Sequence, residues 1–96
     1  MEITDYSVEL IKDPYGILSG KRYEFTLDVE VAEDDELYTA AGLYVRVIFL
    51  VDGERTSLVK CDIYERNTDK YIDYGVEEEE EAMIEAFCVE HYKEAE

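Results

Sequence analysis

Residues 75–96 read GVEEEEEAMIEAFCVEHYKEAE: five consecutive glutamates run into an apolar stripe that holds the chain's single histidine. Carboxylates at this density could gather a cation, dock a basic protein or supply general acids, and an imidazole beside them could take a proton. Helical geometry limits the first option, because consecutive residues fan about 100° apart and Glu77–Glu81 cannot converge on one ion. At a helix start, unpaired N–H groups and the positive dipole end favour carboxylates by ~0.3–1 kcal/mol each, offset by repulsion between neighbours. The run therefore reads first as the solvated start of a helix. Its second reading is a docking surface for a basic partner, with Glu77, Glu78, Glu81 and Glu85 as contact residues.

His91 falls in the apolar stripe one turn beyond Phe87, near a helix C-terminus that favours a cation. Catalysis would also require a nucleophile, an orienting acid and a pocket, and no local stretch supplies that set, so His91 reads as a histidine at the edge of a core. The stretch NTDKYIDYGVEE (67–78) puts Asn67, Asp69, Asp73 and Glu78 at calcium-loop positions one, three, seven and twelve. Position six, where the sharp turn demands glycine, is Ile72, which excludes an EF-hand. Asp34, Asp35 and Glu36 could bind cations only loosely, and GILSGKR lacks the spacing of a phosphate-binding loop. No metal or cofactor is expected, and no catalytic residue can be nominated.

Cys61 and Cys88 stand 27 positions apart, with no Cys-x-x-Cys. Both occupy apolar-patterned positions, where a free cysteine acts as a small hydrophobe. Free thiols and an opening MEITDYSVEL with no basic or apolar signal region make the cytoplasm the expected compartment. The formal charge is −17, from 26 acids against 9 bases. Such a surface repels phosphates and anionic lipid headgroups, so direct binding to nucleic acid or membrane is disfavoured and basic partners are favoured.

Something must position these groups. Ninety-six residues with 47% apolar content fit one domain with one core. Tyr6, Val8 and Leu10 alternate with Ser7 and Glu9 as in a half-buried strand. DPYG (13–16) has the proline and glycine of a type I turn. In YEFTLDVEV (23–31) every odd position is apolar and every even one polar, so one face is core and the other wet. Residues 32–42 suit one or two helical turns ended by Gly42, or an ordered loop. LYVRVIFLV (43–51) is apolar on both faces apart from Arg46, which predicts a central strand covered on each side.

A fourth strand is expected at 56–65. For its hairpin, a three-residue loop with Gly53 at positive φ in a bulge would set Val45, Val47 and Phe49 on the face of Val59, Cys61 and Ile63. A two-residue Asp52-Gly53 turn would place Arg46 there instead, so the buried pattern favours the longer loop. RNTDK reads as a turn and Tyr71–Tyr74 as a short extended stretch. From Val76 to Tyr92, Met83, Ile84, Phe87, Cys88 and His91 share one helix side with Val76 and Glu80.

The fold predicted is α+β: an antiparallel sheet of four or more hairpin-linked strands with one C-terminal helix packed on one face. That helix covers only one face, so Tyr44, Ile48 and Leu50 must meet either the 32–42 segment or a second copy of the chain.

At DPYGILSGKRYEFTLDVEVAEDDELY, GLYVRVIF and YERNTDKYIDYGVEEEEEAMIEAFC the chain resembles a family of small acidic proteins of low-GC Gram-positive bacteria with no established function. The shared motifs are structural: the Asp-Pro-aromatic-Gly turn, the acidic loop and the glutamate-rich helix. Some proteins that resemble it carry the name pullulanase, but 96 residues cannot hold a (β/α)₈ barrel of about 250. The resemblance implies no catalytic residues. The function expected is a cytoplasmic interaction or regulatory module acting through its acidic surface. One alternative is a nucleic-acid mimic that occupies a basic cleft, and another is a small enzyme or sugar-binding domain built round His91 or a tyrosine cluster.

Overall fold

The computed structural model of the protein describes residues 1–12, 20–36, 38–73 and 76–95. Strands β1 (Glu2–Ile11), β2 (Lys21–Glu30), β3 (Leu43–Asp52), β4 (Arg55–Glu65) and β5 (Tyr71–Ile72) precede α1 (Glu78–His91) and a short 3₁₀ helix, η1 (Tyr92–Ala95). All strand pairs are antiparallel and the spatial order is β1-β2-β3-β4-β5, a meander with β3 at its centre. The turn expected at 13–16 lies outside the described residues. Among them, no helix is long and apolar enough to cross a membrane.

The alternation in β2 sets the core. Tyr23, Phe25, Leu27 and Val29 lie directly opposite Phe49, Val47, Val45 and Leu43, and all eight are buried. Ile63 on β4 and Ile84 and Cys88 on α1 complete the buried set, with Met83, Phe87 and Tyr92 half-buried round it. Aromatic contacts fix how the helix lies. Phe87 meets Phe25 edge-on at 6.4 Å between ring centroids, and Tyr92 sits 5.2 Å from Tyr23 and 5.8 Å from Phe49. The expected rod is slightly shorter than its apolar pattern. Glu77 is the N-cap in an extended conformation (φ −69°, ψ 153°), and the chain tightens to 3₁₀ from Tyr92.

The β3–β4 hairpin corrects the sequence expectation. Asp52 pairs with Arg55, leaving a two-residue loop of Gly53 and Glu54, and only Gly53 (φ +64°) has positive φ. That is the requirement of a type II′ turn rather than the longer loop. The register shifts instead at Val59, so Phe49 faces Leu58 while Val47 and Val45 face Cys61 and Ile63. Cys61 and Ile63 thus reach the core face as expected, but Val59 does not and is 52% exposed. Burial dictated the register, and a bulge within β4 delivered it.

Within the 32–42 segment, the described residues 32–36 and 38–42 make successive turns, with Asp35 N–H to Ala32 O, Tyr38 N–H to Asp35 O and Gly42 N–H to Thr39 O. Tyr38 and Thr39 line a cleft with Val29 and Leu43, which belong to the helix-facing side. Gly20 (φ +72°) closes the other end of the sheet, where any Cβ would lie 2.7 Å from the Val51 carbonyl oxygen.

Candidate functional site

Three groupings bear on function: the acidic flank of α1, the junction of β1 with the end of α1, and the outer face of the sheet. Glu78, Glu81 and Glu85 fall within about 60° of arc on α1. Glu77 adjoins them at the cap, where its side chain makes no capping hydrogen bond. Among the described residues none of these four carboxylates forms an ion pair or a side-chain hydrogen bond. Glu77, Glu78 and Glu81 are exposed and Glu85 is half-buried. This flank lies along β4, where Glu81 shares a shallow cleft with Leu58, Cys61, Tyr71 and Asp73. Burial, then the charges of Glu81, Asp62 and Glu80, pushes the Cys61 thiol up to about 11. Burial first, then the Cys61 and Glu85 charges, pushes Cys88 up to about 12. Both cysteines are free thiols. A thiol raised so far is a packing group rather than a nucleophile.

The junction is a feature that sequence reading missed. The Tyr6 hydroxyl donates to both carboxylate oxygens of Glu94, at 2.7 and 2.8 Å. His91 Nδ1 lies 3.1 Å from that hydroxyl and meets Glu94 Oε2. An ionised carboxylate only accepts, so the imidazole carries its proton on Nδ1. Tyr6, Phe87 and His91 pack ring against ring, with centroids 4.3–4.9 Å apart. The tuning runs opposite to acid–base catalysis. The hydrogen bond to Glu94 raises Tyr6, and the hydrogen bonds from Tyr6 and His91 lower Glu94, so each moves away from neutral pH. The cluster ties β1 to the end of α1. His91 and Glu94 stand at helical i, i+3 spacing, a signal the sequence carries; Tyr6 is 88 positions from Glu94 and carries none.

The outer face presents Tyr44, Arg46, Ile48 and Leu50 of β3, with Arg46 exposed and the other three half-buried. Tyr44 stacks on Tyr64 (5.3 Å, 16° between planes), and Tyr64 meets Tyr71 edge-on. Arg46 sits 5.6 Å over the Tyr64 ring. Tyr44 donates to Asp69 at 2.8 Å, which raises its hydroxyl pKa, and Arg66 pairs with Asp28 at 2.7 Å. Among the described residues no three metal-ligating side chains converge.

Fold and surface together define a class: a small acidic α+β domain, a five-stranded antiparallel meander with a C-terminal helix packed on one face. The chain belongs to DUF6509, a family of unknown function, whose model matches residues 1–95. No curated protein and no solved structure matches the chain.

Proposed function

We propose that the protein is a cytoplasmic interaction module that docks a basic protein segment along the acidic flank of α1. The reading rests on one observation, the uneven distribution of charge. Residues 77–95 carry eight glutamates against Lys93, and the Glu77, Glu78, Glu81 and Glu85 carboxylates lack intrachain cation partners among the described residues. A field of one sign over a surface raises the local concentration of an oppositely charged partner and steers its approach. The free thiols Cys61 and Cys88 support an intracellular setting.

The test uses a lysine–alanine helical peptide as probe, with binding followed by amide chemical shifts. Replacing Glu78, Glu81 and Glu85 with glutamine should weaken binding by about 1–2 kcal/mol in total, at the few tenths typical of each exposed pair. Replacing Asp5 with asparagine and Glu9 and Glu24 with glutamine removes the same charge from the other face and should cost much less. Raising salt should weaken the wild-type complex. Equal losses from the two triple variants would reduce the effect to net charge and remove the assigned site.

A further inference from the structure

The face of the sheet opposite α1 differs from the rest of this chain in its charge. By register, its cross-strand rows are Ile11, Arg22, Leu50 and Ser57; Glu9, Glu24, Ile48 and Lys60; Ser7, Thr26, Arg46 and Asp62; and Asp5, Asp28, Tyr44 and Tyr64, with Asp52 and Arg55 beyond the first row and Glu2 and Glu30 beyond the last. Eight carboxylates there stand against Arg22, Arg46, Arg55, Lys60 and, reaching over to clamp Asp28, Arg66. This side thus carries a net −3 of the chain's −17, and its acidic excess lies in the end row of Glu2 and Glu30 and along β1. Its middle is β3, whose Tyr44, Ile48 and Leu50 no described helix covers.

We infer that this outer face is a self-association surface, and that two copies pack sheet to sheet with their acidic helices pointing outward in opposite directions. Charge selects the occupant. Two chains of −17 approach most readily where their charge is least, and a contact through α1 would oppose six glutamates to six. The surface is also self-complementary. A two-fold axis crossing β3 at right angles between Arg46 and Ile48 lays Leu50 over the partner's Tyr44 and Lys60 beside the partner's Asp62, and each contact occurs twice. Within one chain Lys60 already pairs with Asp62 at 3.3 Å, so the symmetric contact joins the two pairs into an alternating four-charge cluster.

Extent is sufficient but modest. Four strands about 4.8 Å apart and ten residues long give a footprint of roughly 600 Å² per copy. Twice that, about 1,200 Å², is the lower end of stable interfaces, so the dimer should be concentration-dependent. Pairing in this way presents two acidic flanks on one particle, an arrangement that would strengthen binding to a partner with repeated basic segments.

Sedimentation equilibrium on the full chain provides the test. The mass should rise from 11.2 kDa toward twice that value with concentration. The dimer should tighten as salt rises, because salt screens the repulsion between two acidic chains. Salt has the opposite effect on docking of a basic segment, so the two proposals fail separately. Ile48→Lys should weaken the dimer at least tenfold while the far-UV spectrum stays unchanged. Val89→Lys, on the exposed side of α1, should leave it intact. Should Ile48→Lys fail to fold, isotope-filtered NOEs in a mixed-label wild-type sample should still link Leu50 to Tyr44 between copies. A monomer at millimolar concentration in high salt, or a dimer broken by Val89→Lys but not by Ile48→Lys, would overturn the proposal.

Discussion

Ile84→Ala probes the joint between helix and sheet. Ile84 and Cys88 are the only α1 residues that are fully buried, and Ile84 is the larger, so it anchors the helix on the sheet. Truncation removes its transfer free energy and leaves a cavity, a combination that costs about 2–5 kcal/mol in a close-packed core. A chain of this length has a total stability of roughly 5–14 kcal/mol, so the change should consume a large fraction of it. At an m-value of roughly 1–2 kcal/mol/M, the urea midpoint should fall by about 1–5 M. Chemical denaturation followed by far-UV circular dichroism reads this directly. Val89→Ala is the control: Val89 lies on the same helix at 47% exposure and should move stability by no more than about 0.5 kcal/mol. If Ile84→Ala lost less than about 1 kcal/mol, or no more than Val89→Ala, the assignment of the buried helix side would be refuted.

Three further outcomes follow from local geometry. Gly20→Ala should destabilise by about 1–3 kcal/mol in urea unfolding, since it combines a positive φ with a Cβ only 2.7 Å from the Val51 carbonyl oxygen. Stability should fall from about pH 9 upward. The unfolded thiols ionise there, while Cys61 and Cys88 stay protonated to about 11 and about 12 in the fold. Tyr6 and Tyr44, also raised, act in the same direction, and replacing both cysteines with alanine should flatten the decline seen in urea titrations at stepped pH. Glu94 works in the opposite sense. Its lowered pKa stabilises the fold above the usual carboxylate range, and that contribution disappears as the pH falls through the lowered value. In Tyr6→Phe, a carboxyl ¹³C titration should find Glu94 shifted upward, and an unchanged midpoint would contradict the hydrogen bond.

Features whose information is local were legible in the sequence. The strict alternation of Tyr23, Phe25, Leu27, Val29 placed β2, and the spacing of Met83, Ile84, Phe87 and Cys88 placed the helix and its inner side. The glutamate run likewise marked the helix start, where four of the five occupy the first turn. The register of β4 was half legible. The buried pattern required Cys61 and Ile63 beneath β3, but a bulge at an apolar valine leaves no compositional mark, so the extra residue was expected in the loop. Tyr6 with Glu94 and Arg66 with Asp28 were not legible, because their partners are brought together only by the completed fold. The charge of the α1 flank and the two-faced hydrophobicity of β3 are composition-level features, legible in the sequence because their information is local.

The packing of α1 on the Phe25–Phe49 face of the sheet underlies both the acidic flank and the proposed contact through the opposite face. Aromatic NOEs on dilute, isotopically labelled protein test it most directly. The account predicts cross-peaks from Phe87 to Phe25 and from Tyr92 to Tyr23 and Phe49, whose ring centroids lie 5.2–6.4 Å apart. Cross-peaks from Phe87 or Tyr92 to Tyr44, Tyr64 or Ile48 within one chain would put the helix on the opposite side and contradict it.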